Sequence, residues 1–428
     1  MRAAVWGSRI HFHGMNPSFI SSRYIASARF GPLTPYVKPY IVLVMNQGYQ
    51  PPTIVGHLRL IGRLYRWLRR KGYDLGELNE CLLERFLKCQ RKKQRTPSSG
   101  DPITLQRLLA VLRNAGVVSP AKQSSGSKTS AQQLTDRYGR FLLNDRGLAE
   151  STVDNYGWFV GKFLAGQFGN NAVKPGRLQA QDAIAFIRQT ARGHSTSHAK
   201  HLVAALRALF RFLHYEGKIK SDLAPALPTV AHWALSTLPK YISADAVQRV
   251  LDKCDQQTSV GRRDYAVLML LARLGMRGGE VLRLEFEDID WQNAQITIRA
   301  KKGPGWARLP LAADVGKAIA GYLRHDRPRG VCRRVFLRAR APHAALSHTA
   351  VISSLVRRAL QKAGVESAGK GAHLFRHSLA TSMLRRGASL DEIGQVLRHR
   401  SPNSTAIYAK VELNALRPLA LSWPGGAS

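Results

Sequence analysis

The chain has 428 residues, 44% of them hydrophobic, which supports two or three packed domains and argues against wholesale disorder. Lys and Arg number 65 against 27 acidic residues, a net charge of +38, so polyanions are the natural partners and nucleic acid comes first among them. No segment approaches the ~20 uninterrupted apolar residues of a membrane span, no secretory leader is visible, and the four cysteines lack CxxC spacing, which disfavours a membrane partner, secretion, a zinc site and a disulfide framework and leaves a cytoplasmic location as the expectation.

Residues 1–73 contain neither Asp nor Glu. Within them, 1–35 shows no periodicity and reads as a basic N-terminal extension. Residues 36–120 predict a helical domain. There Arg59, Arg63, Arg66, Arg69, Arg70 and Lys71 give a helix a basic side, with Leu58, Ile61, Leu64, Tyr65 and Leu68 expected behind it. The small polar stretch 121–130 is a linker. Residues 131–228 predict a second helical domain, in which Ser151 is the expected N-cap of a helix. Leu202, Leu206, Leu209, Phe210 and Leu213 fall on one helix face; Lys200, Arg207 and Arg211 share another. Those three cations are candidates for DNA contact, and a solvated surface would use them equally well.

The first helical block resembles the second. A shift of 101 residues pairs Leu105 with Leu206, Leu108 with Leu209, Leu112 with Leu213, Gly116 with Gly217 and Val118 with Ile219. Shifts of 99 and 100 pair Thr53 with Thr152, and Leu78, Phe86 and Leu87 with Leu178, Phe186 and Ile187. The near-constant offset predicts a duplication, with 36–120 a degenerate copy.

A boundary near 228–240, flanked by Pro228 and Pro239, opens the last block, 240–428. Residues 295–299 alternate apolar and polar as a half-buried strand does. Turn chemistry at 302–305 and a return strand from Trp306 to Leu311 complete a hairpin. Helical periodicity covers 313–324, 348–364 and 374–398. The tail at 413–423 is apolar enough to need burial and is expected to dock on a neighbouring protomer.

Six positions in this block stand out: Arg277 in GMRGGE, Lys302 at the hairpin turn, His373 and Arg376 in HLFRH, His399 in LRHRS and Tyr408 in AIYAK. Singly, each has a structural use. Arg277 can pair with Glu280, Lys302 can be a solvated turn lysine, His373 and Arg376 can cap a helix, and Tyr408 can be a core aromatic. In this order and spacing they resemble the tyrosine recombinase (phage integrase-like) family over 240–412 and, more loosely, over 131–228. That family carries an Arg in a GxRxxE helix, a hairpin Lys, HxxR, a His and a Tyr about nine residues on; here His399 stands nine before Tyr408.

The resemblance implies a mainly α fold with a small β-hairpin or sheet. It implies a helical core-binding (SAM-like) domain at 131–228 and a catalytic domain at 240–428, forming a C-shaped clamp on DNA. Arg277 and Arg376 would hold the scissile phosphate with charged, planar hydrogen-bond donors. Tyr408 would be the nucleophile, His373 a general base, His399 a phosphate donor and Lys302 the acid for the departing 5′ oxygen. Lys301, next to Lys302, is the alternative hairpin acid. Arg398 departs from the family, which often has Gly before the second histidine.

The reading is a site-specific recombinase or integrase of a transposable or integrative element, needing no cofactor and no metal. Its expected partners are double-stranded DNA and further recombinase copies, as a homo-oligomer from dimer to tetramer or with related recombinases. A type IB-like topoisomerase and a catalytically silent DNA-binding regulator are the alternatives.

Overall fold

The computed structural model describes residues 30–92, 100–119, 129–169, 171–231, 238–299, 305–330 and 332–411. The 1–29 part of the N-terminal extension, Lys301 and Lys302, most of the 121–130 linker and the tail at 413–423 lie outside them. Residues 121–236 form one compact unit, and the rest of the described chain forms the other. Among the described residues no helix is long and apolar enough to cross a membrane.

The first block contains α1 (Thr34–Asn46), α2 (Pro51–Lys71), α3 (Glu80–Lys92) and α4 (Asp101–Asn114). It reaches back before residue 36, because Phe30 and Leu33 are buried with Val37, Tyr40 and Ile41. Pro51 opens α2, where its missing N–H costs nothing, and Gly72 closes it at φ +70°. Leu60 and Trp67 join Leu58, Ile61, Leu64 and Leu68 in the core, and Tyr65 is only partly buried.

The unit at 129–231 contains α5 (Ser130–Arg140), α6 (Glu150–Phe168), α7 (Ala180–Ala191) and α8 (Thr196–Tyr215). Thr129 and Gln132 close a reciprocal cap on α5. The N-cap of α6 is Ala149 rather than the expected Ser151, which lies inside the helix. Tyr138, Phe163, Leu206, Leu209, Phe210 and Leu213 form a fully buried centre.

The last block is built around α10 (Ser259–Arg273), whose segment 266–271 is buried on every side and therefore reads as a core helix rather than an amphipathic one. Around it lie α9 (Ala244–Asp252), α11 (Gly278–Arg283), α12 (Ala313–His325), α13 (Thr349–Lys362), α14 (His373–Arg385) and α15 (Leu390–Leu397). Three antiparallel strands, β1 (Ile289–Asp290), β2 (Gln295–Arg299) and β3 (Trp306–Pro310), pair in chain order. Ile296 faces Leu309 across the ladder, and both side chains are buried, as the alternation requires.

The helical run expected over 374–398 is two helices, not one. Gly387 turns the chain at φ +88°, and Ser389 caps α15 in reciprocal hydrogen bonds with Glu392. The break turns α15 back across α14, so that Leu397 and Ile393 meet Ala380 and Tyr408 in a small separate core.

Candidate active site

Four segments of the last block converge: the start of α11, the first turns of α14, the end of α15 and a 3₁₀ turn at Ala406–Val411. Arg277 is not within a helix, as the motif suggested, but is the residue before α11, in extended conformation. Gly278 and Gly279 supply the first helical turn, and a Cβ on Gly278 would press against Ala372 at the head of α14. Here glycine permits the close approach of two elements.

The Arg277 guanidinium donates to Glu280 Oε1 at 2.9 Å and to the Arg398 carbonyl at 3.3 Å. The other Glu280 oxygen takes the Arg277 backbone N–H and the Arg398 Nη2, each at 2.8 Å. Glu280 thus ties two arginines together. Burial pushes its carboxyl up, but the Arg277 N–H and the Arg398 and Arg277 charges outweigh this and leave its pKa lowered. Arg398 itself sits at φ +56°, in the left-handed region where Gly is at ease. Its guanidinium is committed to Glu280.

Arg376 is almost fully buried. It donates to the Gly275 carbonyl at 2.6 Å and to the Leu397 carbonyl. Burial, then the charges of Arg277 and Arg398, lower it to about 10, so it stays cationic at neutral pH. Glu280 therefore hydrogen-bonds two of the three guanidiniums, and the third, Arg376, gives its donors to backbone carbonyls. Uncompensated buried cations are costly, and an anion entering here would offset that cost.

Tyr408 is 1% exposed. Its hydroxyl shares a 2.9 Å hydrogen bond with His377 Nδ1, and its ring lies parallel to His399 at 6.3 Å between centroids. Burial raises the Tyr408 pKa, opposed by Arg376 and Arg277. His399 Nδ1 is engaged by Thr405 Oγ1 at 2.7 Å. Burial, then Arg376 and Arg277, depress His399 to about 4; burial, His373 and Arg376 do the same to His377. His373 opens α14 with its ring exposed at the edge, and the protein mass around it, then Arg376 and Arg277, lower its pKa.

The structure therefore brings Arg277, His373, Arg376, His399 and Tyr408 together, while Lys302 and its alternative Lys301 are not described. It adds His377, Glu280 and Arg398. His377 follows Arg376 directly and stands four residues after His373, on the same helix face, a spacing that was available as a signal.

In the other unit, Lys200, Arg207 and Arg211 line a pocket on α8 with Arg146 and Tyr156. Lys200 and Arg211 are exposed. Arg207 is turned to the backbone: its Nη2 donates to the Leu227 carbonyl at 2.8 Å and to Thr229 Oγ1 at 3.2 Å.

The profile of the phage integrase family matches residues 240–414, and that of the phage integrase N-terminal SAM-like domain matches 135–217. The protein named integrase/recombinase y4rA of Sinorhizobium fredii is 41% identical over 397 residues, covering 93% of this chain and 96% of its own. Tyrosine recombinase XerD of Listeria innocua is 26% identical, over 65% of this chain and 94% of its own. Among solved structures, XerH site-specific recombinase bound to a palindromic difH substrate shares the fold, with a TM-score of 0.51 at 19% identity over 85% of this chain and 95% of that one.

Proposed function

The chain belongs to the phage integrase family of tyrosine recombinases, and on that premise we propose that it cuts and rejoins duplex DNA through Tyr408. The observation that carries this reading is the buried Tyr408 hydroxyl beside Arg277 and Arg376, whose charges bear on it. A phosphodiester placed between the arginines would have its growing negative charge met by fixed cations. Tyr408 Oη attacks phosphorus, its proton passes to a base, and the bond from phosphorus to the 5′ oxygen breaks. A 3′-phosphotyrosyl link and a free 5′ hydroxyl result, and attack by a second 5′ hydroxyl reverses the step without external energy.

Of the two candidate bases, His377 is the one bonded to the hydroxyl, so it is the proposed proton acceptor, with His373 beside the arginines on the phosphate side. A phosphate brings negative charge to imidazoles that the arginines hold neutral, which raises their basicity where it is needed. Lys302 is the proposed acid for the 5′ oxygen. A substrate whose 5′-bridging oxygen is replaced by sulfur should rescue Lys302→Ala, because thiolate leaves without a proton; rescue of Lys301→Ala alone would move the role to Lys301.

The reading extends to a homo-oligomer, or an assembly with related recombinases, on double-stranded DNA in the cytoplasm. The recombinase is proposed to serve a transposable or integrative element. A plasmid with two cognate sites tests it: recombination of the sites is expected, whereas relaxation of supercoils with no exchange would favour a topoisomerase.

A further inference from the structure

Residues 30–119 repeat the fold of residues 129–219 in detail. Each has four α-helices with a single 3₁₀ turn between the second and third, Leu75–Glu77 in one and Pro175–Arg177 in the other. Leu78 and Leu178 donate equivalent backbone hydrogen bonds to Leu75 and Pro175. After the fourth helix Gly116 and Gly217 turn at φ +71° and +66°. Gly76 and Gly176 in the 3₁₀ turns then face the carbonyls of Val117 and Lys218. The matched core positions keep step helix by helix. Tyr40 pairs with Tyr138, Ile61 with Val160, Leu83 with Ala183, and Leu109 with Phe210, all buried. The offset grows by one residue at each connection, as single-residue loop insertions would make it.

What the copies do not share is the placement of charge. At the offset of the fourth helix, Lys200, Arg207 and Arg211 correspond to Ser99, Gln106 and Ala110. Six of the first block's 15 Lys and Arg lie on α2, which has no carboxylate, and the whole block has 5 Asp and Glu. Arg59, Arg63, Arg66 and Arg70 stand at i, i+4, i+7 and i+11, forming one stripe. Arg59, Arg66 and Arg70 are exposed. Arg66 and Arg70 lay their stems along the helix, each donating Nε to the carbonyl four residues back, at 3.3 and 3.2 Å. Among the described residues none of the four forms an ion pair with a carboxylate.

We infer that this stripe is a second surface for duplex DNA, one that follows phosphates and extends the bound length beyond the site held for cleavage. The inference rests on the reading of the chain as a DNA recombinase. A merely solvated helix face gains from mixing signs, since like charges at i,i+4 repel; this one stacks Arg59 on Arg63 and Arg66 on Arg70. A polyanion supplies the missing countercharge. The stripe spans roughly 16 Å at 1.5 Å per residue, comparable to about five base-pair steps.

The test uses the full chain with Arg59→Gln, Arg66→Gln and Arg70→Gln combined, titrated with salt on a short core site and on the same site with long flanks. On long DNA the slope of log K against log salt should shrink by ~0.9 for each phosphate no longer neutralised, and the protected footprint should shorten. On the short site the two proteins should give equal slopes. A control with Arg85→Gln and Lys88→Gln on α3 should leave the long-DNA slope in place, and the triple Lys variant should restore it, which separates a phosphate-binding defect from a folding defect. An unchanged slope and footprint, or an equal loss per charge in the control, would overturn the inference. So would loss of site pairing at an unchanged slope, which would assign the stripe to a protein partner. Failure of the unaltered chain to become covalently trapped on the short site would strike the recombinase reading itself.

Discussion

Arg398 holds its left-handed backbone at a strain of ~1 kcal/mol and commits its guanidinium to Glu280, 2.8 Å away. Glu280 in turn holds Arg277, so Arg398 is a positioning residue for the phosphate clamp proposed above. Arg398→Gly should keep or slightly raise the melting temperature, because glycine is relaxed there, while slowing strand cleavage by about tenfold through a loosened Arg277. Equal cleavage in the two proteins would remove Arg398 from the positioning chain. The histidines divide similarly. His377→Gln should depress covalent capture most near neutral pH and less in alkali, where tyrosinate forms unaided. His373→Gln should lower the rate with less change of profile; the reverse pattern would return the base role to His373. Both His377 and His399 sit near about 4, well below the usual 6.5. Their neutral forms are favoured in the fold, so the unfolded chain binds the more protons as pH falls. Stability from these groups is therefore full above about 6.5 and is lost progressively toward about 4. Thermal melts over that window should show the loss, and His377→Gln with His399→Gln should flatten it. The five positions that the fold brings together, Arg277, His373, Arg376, His399 and Tyr408, were singled out by order and spacing alone, and their catalytic roles are proposals. The spacing of His377 four residues after His373 was available in the sequence, but its contact with Tyr408 was not, because a histidine next to Arg376 reads as part of the motif until the tyrosine is folded against it. Nor was the use of Arg398, since its partner is 118 residues away.

At the scale of elements, the site depends on where chains may approach. Gly275 turns at φ +58°, a Cβ there would meet Leu397 at 2.7 Å, and its carbonyl anchors Arg376. Gly275→Ala should destabilise the domain by ~1–3 kcal/mol through strain and overpacking and lose cleavage with it, as read by denaturant melts beside a cleavage assay. An unaffected melt would mean that α15 yields at no cost. The hairpin was legible because β2 and β3 alternate, whereas β1 has two residues and no pattern to read. The merging of α14 and α15 into one expected helix has a physical cause: Leu384, Leu390 and Ile393 carry apolar periodicity across the break, and only Gly387 and the Ser389 cap mark it. Arg277 lies outside its helix because Gly278 and Gly279 favour a late start, and that places it at the helix entrance, within reach of Glu280 and the Arg398 carbonyl.

For the whole molecule, a net charge of +38 makes affinity for DNA depend steeply on salt, and the repeated helical block adds surface without adding a second catalytic centre among the described residues. The proposed duplication rests in sequence on offsets of 99 to 101; in the fold the buried Tyr40 and Tyr138, in the first helix of each block, add a pairing too sparse to read from one leucine-rich pattern. Charge at this scale says only that a polyanion is favoured as partner, and the proposed chemistry turns on one hydroxyl. The direct measurement is to trap the chain on a nicked substrate whose 5′ fragment diffuses away, digest the adduct and locate the attached nucleotide by mass spectrometry. The nucleotide should be found on Tyr408, and Tyr408→Phe should bind the same DNA with near-unchanged affinity and form no adduct. An adduct on another residue, or one formed by Tyr408→Phe, would contradict the account.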